Sequence, residues 1–128
     1  MRPIKNAEGE PVNWINYKTG FRDIFFRMDA DQAGSSITIE LRQSDTLLQK
    51  QFFDQLQQFK HLLVAETNEE WSWELYSQDE DGQTISRISK SLPGVNVFHE
   101  PDWPAIISFL KPRLIALDRF WTQVREIL

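Results

Sequence analysis

The sequence predicts an α+β domain: an antiparallel sheet of about five strands with two helices packed on one face, in the order βββαββα. Three observations carry that prediction. Apolar and polar residues alternate strictly at 37–42 and again at 71–76; apolar residues return every three or four positions at 48–63 and 103–128; and the turn-forming Asp79-Glu80-Asp81-Gly82 separates two alternating runs. Alternation suits half-buried strands, the longer period suits helices, and hairpin-connected strands followed by helices give an antiparallel sheet covered on one side.

Residues 1–11 are polar and punctuated by Pro3, Gly9 and Pro11, and read as an extended polar leader; 12–128 read as a single α+β domain. Trp14-Ile15-Asn16-Tyr17 is aromatic and β-branched, and Lys18-Thr19-Gly20 turns it into Ile24-Phe25-Phe26-Arg27-Met28, so these form the first two strands. Ile37, Ile39 and Leu41 share one face of the third strand, with Thr38, Glu40 and Arg42 on the other. Ser44 or Asp45 supplies an N-cap oxygen, after which Leu48, Phe52, Leu56, Phe59 and Leu63 make one apolar helical face. Trp71, Trp73 and Leu75 then alternate with Ser72, Glu74 and Tyr76 in a strand whose tryptophans face that helix, and the 79–82 turn folds it into a hairpin with 84–88. A short extended piece follows at 95–98. The last helix starts at Asp102 as N-cap and carries Trp103, Ile106, Leu110, Leu114, Leu117, Trp121, Val124 and Leu128; Pro112 within it predicts a kink or break near Leu110-Lys111.

Composition narrows the function classes. The 128 residues carry 14 basic and 19 acidic side chains for a net charge of −5, with 41% hydrophobic residues, five Trp and nine Phe, which suffices for a packed core. The basic and acidic residues balance in 1–64, so the excess acid lies in 65–128, a distribution that argues against a general phosphate-backbone binder. The chain has no cysteine, which removes disulfides, thiolate metal sites and cysteine nucleophiles. With no signal-like segment and no apolar run long enough to span a bilayer, the expected location is the cytoplasm, away from membranes.

No connected catalytic set emerges. His61 lies within the amphipathic helix and His99 in a loop beside Glu100, and neither has the spacing of a metal or catalytic motif. Asp29-Ala30-Asp31-Gln32-Ala33-Gly34 mimics a calcium loop, but Ala33 cannot ligate and the flanks alternate as strands, so it reads as a turn. Asp23 with Glu40-Leu41-Arg42 approximates a nuclease metal site, with arginine where the pattern has lysine. Lys18, Arg22, Arg27 and Arg42 lie near Trp14, Tyr17 and Phe25, the mixture that contacts single-stranded nucleic acid, although Asp23, Asp29, Asp31 and Glu40 are interleaved with them. No cofactor, metal site or catalytic residue is assigned.

The segments Asn13-Trp14-Ile15-Asn16-Tyr17-Lys18-Thr19-Gly20, Phe26-Arg27-Met28-Asp29-Ala30-Asp31, Gln78-Asp79-Glu80, Thr84-Ile85-Ser86-Arg87-Ile88, Asp102-Trp103-Pro104-Ala105 and Lys111-Pro112-Arg113 resemble the bacterial domain-of-unknown-function family 4268 over nearly the whole chain. The family brings no catalytic residues to carry over; its larger relatives join a similar domain to a nuclease-like domain of the PD-(D/E)XK type, which implies by association a role near DNA. Stand-alone members resemble this chain with a helix placed ahead of it, so an apolar surface is expected to be exposed here.

These readings converge on a non-enzymatic interaction module, with a nucleic-acid-associated or nuclease-related domain as the alternative. Phe109, Ile115 and Phe120 add apolar surface around the last helix beyond its main stripe, which predicts self-association as a homodimer, or docking of another protein, through that helix.

Overall fold

The computed structural model describes the backbone of residues 4–5 and 11–12 and the whole of 19–128. Two short strands, β1 (Ile4–Lys5) and β2 (Pro11–Val12), pair antiparallel. The main sheet has four antiparallel strands, β3 (Ile24–Ala30), β4 (Gly34–Leu41), β5 (Ser72–Gln78) and β6 (Thr84–Pro93), in the order β3-β4-β6-β5. Between β4 and β5 lie α1 (Thr46–Gln58) and α2 (Lys60–Thr67), and after β6 a 3₁₀ turn (Glu100–Asp102) leads into α3 (Trp103–Val124).

The α+β class and the β5–β6 hairpin are therefore as the sequence predicts, while the strand and helix counts differ. The strand expected at 14–17 lies outside the described residues. The piece at 95–98 is a turn, with the His99 N–H donating to the Asn96 carbonyl at 3.0 Å. The single helix expected over 48–63 is two, because at Phe59 (φ −103°, ψ 15°) the ladder tightens to a Leu56 carbonyl bond of 2.9 Å and the chain turns. That turn serves packing: α1 lies against the sheet strands β4, β5 and β6, whereas α2 lies against α3.

One sheet face is covered and the other is open. Ile24, Phe26, Ile37, Ile39, Leu41 and Ile88 share a core with Phe53 and Leu56 of α1, Leu63 of α2 and Leu110, Leu114, Leu117, Phe120 and Trp121 of α3. Alternation puts Arg27, Glu40, Arg42 and Arg87 on the opposite face. Trp121 is fully buried; its indole N–H donates to the Thr19 carbonyl at 2.7 Å and its ring meets Phe21 and Phe26 edge to face. Thr19 in turn donates its hydroxyl to the Ile24 carbonyl at 2.8 Å, so the approach to β3 is tied to the last helix.

Two caps differ in outcome. Asp45 caps α1, its Oδ1 accepting from the Leu47 and Leu48 N–H groups at 3.0 and 3.3 Å. Asp102 does not cap α3; it sits in the 3₁₀ turn and accepts from the Asn96 N–H at 2.9 Å, fixing the preceding loop instead. Nor does Pro112 break α3, which runs on through it. Buried side chains anchor both sides of the proline, Leu110 before it and Leu114 and Leu117 after it, and this packing offsets the missing donor. Next to the proline, Arg113 grips Glu69 at the end of the α2 connection with two bonds of 2.7 and 2.9 Å, donates to the Phe109 carbonyl at 2.8 Å and lies over the Phe109 ring.

Trp71 is buried, while Trp73 is half-buried, edge-on to Phe53 of α1 with ring centroids 5.7 Å apart, so both face the helix layer as their parity requires. The larger burial lies at Trp121. Trp121→Ala is expected to destabilise the domain by about 3–5 kcal/mol, because it removes a fully buried ring and strands the Thr19 carbonyl; urea denaturation measures it, and a loss under about 1 kcal/mol contradicts the packing described.

Candidate functional site

The open sheet face holds a shallow cleft of about 370 Å³, built where β3, β4 and β6 meet the tip of the β5–β6 hairpin. Its floor is Ile85, 1% exposed although it lies on the uncovered face. The β-alternation that buries Ile39 and Leu41 turns Glu40 and Arg42 toward the cleft, and antiparallel register sets Glu40 opposite Arg87.

A chain of charges crosses this face. Arg27 Nε donates to Glu40 Oε1 at 2.8 Å; Arg42 donates to Glu40 Oε2 from one terminal nitrogen at 3.2 Å and to Asp79 Oδ2 from the other at 2.8 Å. Arg87 donates to the Ser77 hydroxyl at 2.6 Å. Asp79 is delivered by the hairpin tip: its Oδ1 accepts from the Asp81 and Gln83 N–H groups, both at 2.9 Å, and Gly82 takes φ +78°, the left-handed turn position that glycine favours. The Arg42 guanidinium, followed by the Gln83 and Asp81 amides, holds the Asp79 carboxyl below its ordinary value, and the Asp79 hydrogen bond raises Arg42.

This geometry gives the sequence candidates their positions. Arg27 and Arg42 do come together, but on Glu40, so the two cations are spent on a carboxylate of their own sheet. The cleft is lined by three arginines and five carboxylates, an acidic balance that opposes a phosphate backbone. Both Glu40 oxygens are occupied by guanidinium groups, the reverse of an open metal ligand. Among the described residues no group of three or more His, Asp and Glu side chains is arranged to hold a metal ion. Arg22 lies exposed ahead of β3, and Lys18 lies outside the described residues. The 29–34 segment is the β3–β4 turn: Asp31 Oδ1 accepts from the Ala33 and Gly34 N–H groups at 2.8 and 3.0 Å, and Gly34 passes so close to β6 that an added Cβ would lie 2.6 Å from the Leu92 carbonyl oxygen.

The apolar candidates on α3 are corrected. Phe109 and Phe120 are 5% and 0% exposed and belong to the core, and Ile115 packs half-buried against it. Phe109 and Phe120 are thus covered within the chain, whereas Ile115 keeps part of its surface exposed. Apolar exposure lies instead at the start of the helix. Phe98 is 82% exposed, and Trp103 and Ile107, one helical turn apart, are each 46% exposed. The Trp103 indole is pinned by donation to the Val97 carbonyl at 2.6 Å. Asp102 fixes the same loop through the Asn96 N–H and lies 3.4 Å from His99, two contacts that hold its carboxyl below the ordinary range. Helical spacing alone assigned Trp103 to the core stripe; the 3₁₀ turn ahead of it was the missing information.

Fold and site together define an α+β domain with helices on one sheet face and, on the other, an acidic cleft in which Arg27 and Arg42 are engaged by Glu40 and Asp79. The chain belongs to the family described as Domain of unknown function (DUF4268), whose model matches residues 1–125. No curated protein and no solved structure matches the chain. Among the described residues no helix is long and apolar enough to cross a membrane.

The Asp79–Arg42 contact predicts a pH signature. A carboxyl lowered in the folded state stabilises above its unfolded value, ordinarily 3.8, and loses that contribution as pH falls through the lower folded value. The melting temperature of Asp79→Asn should therefore fall below wild type by a constant amount at neutral pH, and the gap should close on acidification below 3.8; a gap that is unchanged down to strong acid contradicts the pairing.

Proposed function

We propose that this domain is a non-enzymatic protein-interaction module that docks through the start of α3. The observation supporting this reading is the exposed set Phe98, Trp103 and Ile107, in which the tryptophan is held rigid by its 2.6 Å indole bond. An aromatic side chain ordered in advance loses little conformational entropy on contact, and buried Trp anchors dominate the energetics of protein interfaces. Phe98 sits on the loop that accepts the indole bond, so loop and helix present one surface. The charged cleft supports the same assignment, because the carboxylates best placed for chemistry, Glu40 and Asp79, are engaged by Arg27 and Arg42.

The test is retention of a partner from extract of the native host on immobilised protein, wild type against the Phe98→Ser, Ile107→Ser double variant, with circular dichroism melts confirming that both fold. Wild type should retain a partner that the double variant loses. Equal retention by both contradicts docking at this surface. Magnesium-dependent cutting of DNA or RNA that disappears in Glu40→Ala would instead establish the nuclease-related alternative.

A further inference from the structure

We infer that the surface at the start of α3 pairs with a second copy of itself, the two helices crossing antiparallel about a two-fold axis at Ile107; this rests on the docking reading above and names its partner. Glu100, Trp103, Ile107 and Lys111 follow one another at spacings of three, four and four. The first step spans the 3₁₀ turn, where residues three apart eclipse, and the others span α-helical turns, so the four lie along one stripe. All four are exposed. Glu100 and Lys111 carry opposite charges at the two ends of the stripe, and neither has an ion-pair partner among the described residues.

That arrangement is complementary to its own reversed copy. Trp103 and Lys111 stand equally far from Ile107, about 6 Å along the axis on either side. In an isologous pair residue i meets j and j meets i, so an axis through Ile107 brings the two isoleucines together and carries the second copy's Lys111 over Trp103 and toward Glu100. An ammonium over an indole face with a carboxylate behind it satisfies the cation twice. A parallel pairing would set Lys111 on Lys111 and Glu100 on Glu100. Phe98, beside Trp103, widens the apolar centre. The exposed parts of these three apolar side chains amount to on the order of 300–400 Å² per chain. With the polar rim, a two-fold contact buries on the order of 1,000 Å² in total, the low end for specific association. The dimer is accordingly weak, half-formed at on the order of 100 μM.

Sedimentation velocity from about 10 μM to about 1 mM tests it. Wild type should move from monomer toward dimer across that range. Ile107→Glu should remain monomeric throughout, because it places two carboxylates on the axis. Lys111→Glu should weaken association by about tenfold, and the Glu100→Lys, Lys111→Glu double variant should recover part of that loss, as only reciprocal contact between the two ends allows. A wild type that is monomeric at the highest concentration, or a dimer that Ile107→Glu leaves intact, overturns the inference. If wild type stays monomeric yet retains a host partner that Phe98→Ser, Ile107→Ser loses, the docking reading stands and only the second copy is wrong; if both experiments fail, so does the docking surface.

Discussion

A single buried glutamine joins the helix layer to the sheet. Gln49 of α1 is fully buried, and its amide nitrogen donates to the carbonyls of Gln43 and Thr84 at 3.0 and 3.1 Å while its oxygen accepts from the Ser86 hydroxyl at 2.6 Å. It thereby closes the β4–α1 connection, the start of β6 and the body of α1 onto one point. In a low-dielectric interior such a set is stabilising when each member is paired, and losing the amide would strand two carbonyls and a hydroxyl.

The consequence reaches the other face of the sheet. Ser86, held by Gln49, also accepts from the Tyr76 N–H at 3.2 Å, which stands in for a ladder bond. At that point β5 and β6 slip register between Glu74 and Ser77, and Tyr76 takes φ +58°. A left-handed tyrosine costs about 1–3 kcal/mol of backbone strain. Its hydroxyl donates to the Thr46 carbonyl at the start of α1 at 2.8 Å, a second tie that holds the bulge. The extra residue restores Ser77 to the open face, where it meets Arg87, and carries the strand into the tip that sets Asp79 on Arg42. The charged cleft is thus positioned from beneath, by a polar contact inside the core.

Much of the fold was legible because burial follows period. The alternation at 37–42, the apolar repeat of α1 and the Asp79-to-Gly82 turn each specify their element locally, and Glu40 and Arg42 were assigned by parity to the face opposite Ile39 and Leu41. What escaped was set by tertiary contact. Leu48 reads as core and is 41% exposed, while its neighbour Gln49, outside the apolar repeat, is buried with its amide on Ser86, Gln43 and Thr84. The bulge at Tyr76 has no glycine to announce it. The extra apolar residues of α3 pointed to self-association, but Phe109 and Phe120 are enclosed by the chain itself, and the exposed aromatic surface arises where Asp102 tethers a loop rather than capping the helix.

The two faces of the domain therefore divide their tasks. The core node fixes the hairpin over a cleft in which Arg27 and Arg42 are held by Glu40 and Asp79, and the loop ahead of α3 is left to present its aromatic residues outward. Whether the buried glutamine controls the bulge is read most directly from amide hydrogen exchange at Tyr76, referenced to the Ile39 amide of the central strand. In wild type the Tyr76 N–H should be protected, and in Ser86→Ala it should exchange about tenfold faster relative to Ile39, the equivalent of one lost hydrogen bond. Unchanged relative protection of Tyr76 in Ser86→Ala would contradict the control of the bulge by Gln49 and Ser86.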